Sequence, residues 1–398
     1  MDALAQAQGT DFFYLDELLT NDELAIRDRV RAFSDKEVVP NAAGWWERAE
    51  FPRDLLPAYA ALGVAGGSID GHGCPGFGAV ADGLVVAELA RGDGSVATFH
   101  GVHSGLAMRC VDVLGSTEQQ QRWLPAMARV ERLGAFALTE PTHGSDVVRL
   151  ETRAERNGDS YLLYGEKRWI GLGSIADLVV VWARDDNGDV GGFVVEHGPD
   201  GPDATPGYTS NVITGKTSNR ALWQADVHLD GVRVPADNRL AEARSFTDTS
   251  RMLAISRQGV AWEALGHAVA AYEYAVGYAR AREQFGAPIA ARQLVQDKLS
   301  RMLADITSMQ LLCLRLAQLQ DSGKASLGRA SLAKLHTAAA ARRVCAEARD
   351  ILGGNGILLE HHVARHHADM EAVYTYEGTD SVQSLIVGRE ITGLSAFA

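Results

Sequence analysis

Apolar residues in the first third of the chain recur at the three- and four-residue spacing of helices. Leu24, Ile26, Val30 and Phe33 form one core-facing stripe, and Asn21-Asp22 in front of it is a candidate N-cap. Pro57–Leu62, Ala79–Arg91 and Thr117–Val130 repeat the helical pattern, separated by glycine-rich joints such as Gly66-Gly67 and Gly71–Gly78. The period then changes. Ala135–Thr139, Tyr161–Trp169, Leu178–Trp182, Gly192–Val195, Ala221–His228 and Val232–Val234 are short runs of strand type. Asn157-Gly158 and Asn187-Gly188 stand where hairpin turns belong, because both positions tolerate positive φ. Gly198–Gly207 reads as a surface loop. Long helical patterns return at 250–283, 292–320, 325–350 and 381–392. The order predicts an α+β multidomain chain: an all-α domain over 1–134, an antiparallel β-barrel or sandwich over 135–245, and a C-terminal four-helix bundle over 246–398.

Composition narrows the function. The 398 residues carry 38 Lys+Arg against 51 Asp+Glu, a net charge of −13, which argues against a face built for nucleic-acid phosphates. No run of about 18 apolar residues exists, so no membrane insertion is expected. The N-terminus has no Lys or Arg before Arg27, unlike a signal or transit peptide. Cys74, Cys110, Cys313 and Cys345 show no CxxC spacing; three lie in apolar helical patterns and read as core residues of a reducing compartment. A cytoplasmic location is the expectation.

Several local patterns fall short of a motif. Gly215-Lys216-Thr217 lacks the P-loop's first glycine, Ser210 standing there, and lies between strands. Gly353-Gly354-Asn355-Gly356 follows a helix and suits a C-cap and tight turn rather than a dinucleotide fingerprint. His361, His362, His366 and His367 lack HExxH and any Cys partner, so they are expected on a solvated or interface face with no metal.

Two longer segments are more specific. Phe136-Ala-Leu-Thr-Glu-Pro-Thr-His-Gly-Ser-Asp146 resembles the TEPxxGSD signature of the acyl-CoA dehydrogenase family, and Asp350–Ile357, continuing through Glu360, Arg365 and Asp369, resembles its second signature. Lys167-Arg168-Trp169-Ile170 is similar to the middle of the family's K-x-W-I-T strand, Arg282–Gly286 to its R-x-x-F-G turn, and Tyr376-Glu377-Gly378-Thr379 to its Y-E-G-T. All five occur in the family's order. Glu371-Ala372-Val373 and Ile391-Thr392-Gly393…Ala396-Phe397 resemble the glutaryl-CoA dehydrogenase branch in particular.

The resemblance implies the α–β–α fold, FAD between the β domain and the C-terminal bundle, a homotetramer whose subunits share each FAD site, and electron-transfer flavoprotein as acceptor. It implies oxidation of an acyl-CoA to the trans-2-enoyl-CoA, with α-proton removal by Glu377 and β-hydride transfer to flavin N5. An α C–H beside a thioester is a very weak acid, so its base must be close and desolvated, and the thioester oxygen must be stabilised as it gains charge. The family's matched FAD residues are Phe136, Leu138, Thr139, Ser145, Trp169, Ile170, Gly171, Thr379 and Phe397. Arg282, Gln293 and the run Asp350, Ile351, Leu352, Gly353 and Gly354 are matched to the neighbouring subunit's FAD. Ser145, Arg257 and Gly378 are the matched acyl-CoA contacts. The segment Ala254-Ile255-Ser256, where some relatives place the base, holds no carboxylate and leaves Glu377 unopposed.

Two departures stand out. Gly171 replaces the family's usual Thr after Trp-Ile, removing a hydroxyl near flavin N5 and implying tuned flavin reactivity. Alignment of Glu88–Ala97 puts Ala97 where the glutaryl branch has the Arg that holds the far carboxylate, and Ala90 at a nearby Glu. A carboxylate unpaired in an apolar pocket is costly, so a neutral short, medium or branched acyl chain is expected. Two alternatives are a glutaryl-CoA dehydrogenase using an Arg or His from elsewhere, such as His100 or His103, and a non-catalytic flavin-fold binding protein. An acyl-CoA oxidase shares the architecture.

Overall fold

Thr20, rather than Asn21 or Asp22, caps the first helix. Its hydroxyl accepts from the Glu23 N–H (3.3 Å) while the Glu23 carboxylate accepts from the Thr20 N–H (2.7 Å), a reciprocal pairing that Asn21 and Asp22, already inside the helix, cannot make. The computed structural model describes residues 9–396. Helix α1 (Asn21–Phe33) runs through a π-helical turn (Ser34–Val38) into α2 (Val39–Arg48), followed by α3 (Leu56–Leu62) and α4 (Ala79–Gly92). Helix α5 (Gly94–His100) passes through a second π-helical stretch (Gly101–Met108) into α6 (Arg109–Leu114), and α7 (Thr117–Ala128) ends this helical part. The sequence period did not separate α2, α5 and α6.

The middle region is a seven-stranded sheet: β1 (Gly134–Ala137), β2 (Arg153–Asn157), β3 (Ser160–Gly171), β4 (Leu178–Arg184), β5 (Val190–Glu196), β6 (Tyr208–Val212) and β7 (Gln224–Pro235). The order is β1-β4-β2-β3-β7-β6, with β5 beside β4. Asn157-Gly158 and Asn187-Gly188 do make the β2–β3 and β4–β5 turns. The expectation of an antiparallel sheet needs one correction. β1 pairs with β4 in parallel, and β2 touches β4 in parallel, because the chain from β1 goes out through β2 and β3 before returning. The nearly unbroken apolar run of β4, buried from Leu178 to Ala183, suits a strand covered on both faces. The two expected strands ending at His228 and Val234 are one strand, β7. Gly231 is skipped where Asp230 and Val232 pair with Tyr164 and Leu163, so a bulge interrupted the alternation.

The C-terminal part holds α8 (Phe246–Ala281), a short hairpin of β8 (Glu283–Gln284) and β9 (Ala287–Pro288), α9 (Gln293–Asp321), α10 (Leu327–Ile351), α11 (Val363–Thr375) and α12 (Asp380–Thr392). Helix α11 was hidden in the sequence because its inward stripe (Val363, Arg365, His366, Asp369, Met370, Val373) mixes charged with apolar residues. The same fact corrects the expectation for the histidine cluster. His366 is buried against His267 (Nδ1 to Nδ1, 2.9 Å), and Arg365 is wholly buried in an ion pair with Asp93. Among the described residues no group of His, Cys, Asp and Glu could hold a metal. One apolar core joins the N-terminal helices to the sheet, and a second fills the C-terminal helices together with Val80, Leu84 and Ala87 of α4. All four cysteines are free, three of them buried. No helix among the described residues is long and apolar enough to cross a membrane.

Candidate active site

Where the sheet, the α5–α6 segment and the C-terminal helices meet, they leave a cleft of about 810 Å³. Its walls bring together Phe136, Leu138, Thr139 and Ser145 from the β1 end and following loop, Trp169, Ile170 and Gly171 from β3, Arg257 from α8, and Glu377, Gly378 and Thr379 from the α11–α12 junction.

The junction is built to project one carboxylate. Glu377 has φ +54°, a left-handed conformation disfavoured for a residue with a β-carbon, and Gly378 follows at φ +91°. Hydrogen bonds hold this turn. Arg257 Nε and Gln383 Nε2 both donate to the Glu377 carbonyl (3.1 and 2.9 Å), and Gln383 Nε2 and Lys334 Nζ donate to the Gly378 carbonyl (2.9 and 2.8 Å). A β-carbon on Gly378 would lie 2.5 Å from Gln383 Nε2, so both the φ and the packing demand glycine. The Glu377 carboxylate accepts from the Ser256 hydroxyl at 2.5 Å. Burial raises its pKa, while the Ser256 hydrogen bond and the charges of Arg257 and Lys334 pull it back. The Glu377 N–H has no acceptor among the described residues. Thr379 starts α12, its hydroxyl accepting from the Val382 N–H (3.3 Å).

On the opposite wall, Trp169 sits in the irregular step of the β3–β7 ladder with φ +65° and is 51% exposed. The twist turns the indole out of the sheet, with the Arg168 guanidinium over its ring and held by Asp226. A β-carbon on Gly171 would come within 2.8 Å of a Val102 methyl, so Val102 fills the space that a threonine would need. The loop after β1 is anchored from below. Glu140 accepts from the Glu151 and Thr152 N–H groups, the Thr152 hydroxyl and buried Lys167 (2.9 Å), and this set outweighs burial to hold its carboxyl low, at about 2.

The structure does not bring every expected residue to this cleft. Arg282, Gln293, Asp350, Gly353 and Gly354 are exposed on the C-terminal helices outside it, and Ile351 and Leu352 turn into the second core. Asp350 is paired with Lys298. Phe397 lies outside the described residues.

Comparison with known proteins is decisive at the level of family. The models for the acyl-CoA dehydrogenase N-terminal, middle and C-terminal domains match residues 20–131, 135–232 and 246–392. The chain belongs to the acyl-CoA dehydrogenase family. The mitochondrial short-chain specific acyl-CoA dehydrogenase of Bos taurus is 33% identical over 368 residues, covering 91% of this chain and 88% of its own. A crystal structure of glutaryl-CoA dehydrogenase from Mycobacterium smegmatis superposes with TM-score 0.94 at 41% identity, covering 98% of this chain and 100% of that one. A glutaryl-CoA dehydrogenase of the same organism, in complex with FADH2, gives 0.94 at 37%, covering 98% and 99%.

In this family setting, Ser256 and Val102 of the cleft wall, and Lys334 and Gln383 behind the Glu377 turn, are the residues that sequence reasoning missed. Only Ser256 left a signal, by its place just before Arg257; the others act through backbone carbonyls or shape, which no motif records. Ser256→Ala removes a hydrogen bond that favours the ionised carboxylate, so the Glu377 pKa rises further. The acid limb of the reduction rate is expected to move to higher pH, with slower reduction at neutral pH and recovery in alkali. Anaerobic reduction rates across pH check this; a limb at the wild-type pH or below would refute it.

Proposed function

We propose that this protein is an FAD-dependent acyl-CoA dehydrogenase that oxidises an acyl-CoA thioester to the trans-2-enoyl-CoA, with Glu377 as the base for the α proton. The observation that carries it is the Glu377 carboxylate, held over the cleft on a left-handed backbone and raised in pKa by burial. A desolvated carboxylate is a better proton acceptor than an exposed one. The adjacent unpaired Glu377 N–H supports a second role, donation to the thioester oxygen as negative charge develops there. Arg257 acts by fixing the Glu377 carbonyl, and Gly378 by letting the chain turn.

The residues present fit FAD. An outward-turned indole at Trp169 offers a flat face to a ring system, and Gly171 beside it presents no side chain. Phe136, Leu138, Thr139, Ser145, Ile170 and Thr379 complete the same wall. FAD, when bound, supplies the two-electron acceptor for the β hydrogen. Arg282, Gln293 and the Asp350–Gly354 turn serve a neighbouring subunit's FAD in this reading. Their separation from the cleft supports that, as do the apolar side chains exposed around them: Phe285 (96%), Leu294 (79%) and Ile357 (69%). We take the assembly to be a homotetramer, its electron acceptor an electron-transfer flavoprotein, and its compartment the cytosol.

The 41% identity to a glutaryl-CoA dehydrogenase favours glutaryl-CoA as a second reading. The side chains on this wall do not support it. Ala97 lines the cleft with no charge. His103 is locked between the Gly134 N–H and the Met127 carbonyl, and His100 pairs with the Tyr59 hydroxyl. Burial lowers both rings, to about 4 and about 3, so neither supplies a cation. An acyl chain without a terminal carboxylate fits better. Anaerobic titration of the holoenzyme should show bleaching of the flavin by butyryl- or octanoyl-CoA and little or none by glutaryl-CoA. Rapid bleaching by glutaryl-CoA with crotonyl-CoA as product would overturn this choice.

A further inference from the structure

Besides Glu377, the cleft contains a carboxylate that the proposed reaction does not use. Glu263 lies on the same face of α8 as Ser256, two turns further on, which is roughly 10 Å at 1.5 Å per residue. It is only 5% exposed. One oxygen is hydrogen-bonded to the Thr98 hydroxyl at 2.9 Å, and the Tyr376 hydroxyl stands beside the carboxyl and pulls its pKa down. Thr98 is itself committed elsewhere: its hydroxyl lies 2.8 Å from the Gly94 carbonyl and accepts from Asn219 Nδ2 at 2.9 Å. The field of Lys334 reaches Glu263, but its ammonium donates to the Tyr374 and Gly378 carbonyls. Tyr376, on the same wall, turns a buried hydroxyl toward Glu263 and Thr98 without a hydrogen bond of ordinary geometry to either. Burial raises the Glu263 carboxyl to about 7.

A buried carboxylate with one hydrogen-bonded donor and no paired cation is costly. Beyond Thr98 and Tyr376 the cleft offers it little: Ala97 has no polar group, and Gly101 carries no side chain. A donor brought by the ligand would complete its hydrogen bonding. An alkyl chain would leave Glu263 desolvated with only these two hydroxyls beside it, and a carboxylate would add a like charge.

We propose that Glu263, with Thr98 and Tyr376 beside it, selects an acyl-CoA whose acyl chain carries a hydrogen-bond donor, a hydroxyl or an ammonium group, at the end remote from the thioester. This rests on the dehydrogenase reading and names its substrate class. Glu263 acts as a specificity residue; the α proton still goes to Glu377.

The test is anaerobic reduction of the holoenzyme's flavin by matched thioesters: pentanoyl-, hexanoyl-, 5-hydroxypentanoyl-, 6-hydroxyhexanoyl-, 5-aminopentanoyl- and glutaryl-CoA. A hydroxy or amino thioester should exceed its alkyl counterpart at least tenfold in reduction rate over Kd, the favoured arm telling a neutral from a cationic donor. Glu263→Leu should reverse the order in favour of the alkyl chain. Glu263→Gln, which keeps an acceptor oxygen without charge, should retain part of a hydroxyl preference and lose an ammonium preference. Equal or better reduction by the alkyl thioesters in the wild type would overturn the proposal, as would a wild-type preference ratio in Glu263→Leu. Bleaching by pentanoyl-CoA with no donor preference sinks this inference alone, whereas no bleaching by any thioester sinks the dehydrogenase reading with it.

Discussion

Glu377→Gln is expected to leave an enzyme that still binds FAD and acyl-CoA but is reduced by butyryl-CoA roughly 10³–10⁴-fold more slowly, the usual contribution of a positioned general base. Glutamine matches glutamate in shape, and the left-handed φ of +54° suits the two equally. The Arg257 and Gln383 hydrogen bonds go to the backbone carbonyl, which the substitution does not alter. Ser256 can still donate to the amide oxygen. What disappears is a group able to accept the α proton. Stopped-flow measurement of anaerobic bleaching separates this from lost binding, since Kd should change little while the rate collapses. Residual reduction within tenfold of the wild type would assign the proton to another group, Glu263 being a second carboxylate of the cleft whose pKa burial raises. In the wild type the rate should rise with pH through the raised Glu377 pKa, because only the ionised form is a base.

Arg365→Met should cost about 3–5 kcal/mol of stability, the penalty for stranding a buried charge. Arg365 on α11 pairs with Asp93 between α4 and α5, and both side chains are essentially inaccessible. The same guanidinium meets His362 Nδ1 at 2.7 Å. Asp93 also caps α5, accepting from the Ser95 N–H at 2.9 Å. Burial pushes the Asp93 carboxyl up even beside the guanidinium, so without it the aspartate faces protonation or an unfavourable charge. Nearby, Asp369 accepts from the Asn219 N–H (2.6 Å) and the Trp46 indole N–H (3.1 Å), tying the same helix to the β region and to α2. Thermal and denaturant unfolding measure the loss. The double variant Asp93→Asn/Arg365→Met, which removes both charges, should recover part of it. A single variant as stable as the wild type would show that the pair contributes nothing to holding these parts together.

Much of the frame was legible because it rests on local rules. The apolar period separated helical from extended regions, and both Asn-Gly turns fell where the chain reverses. The misreadings have definite causes. A bulge at Gly231 broke the alternation of β7, and a polar stripe disguised α11. The π-helical stretch at 101–108 blurred the helical period between α5 and α6. The parallel β1–β4 pairing depends on which strands meet after forty intervening residues, and no local pattern encodes that.

The site divides in the same way. Motif residues could be named from the chain alone, because Tyr-Glu-Gly-Thr, Thr-Glu-Pro and Arg-Trp-Ile are contiguous and their spacing carries the resemblance. Glu140 belongs to such a motif, yet only the structure shows it as the buried anchor of Lys167 and Thr152. Side chains that act between separate elements left no trace in one dimension. Gln383 and Lys334 support the Glu377 turn from α12 and α10, Val102 fills the place beside Gly171, and Glu263 faces Thr98 across the cleft. The chain by itself determined the family and the order of its regions and pointed to the carboxylate proposed as the base, since these depend on composition, period and contiguous motifs. Tertiary structure decided how that carboxylate is held, which charges surround it and which polar groups line the rest of the cleft. Desolvation and hydrogen bonding between distant segments exist only once those segments are packed together.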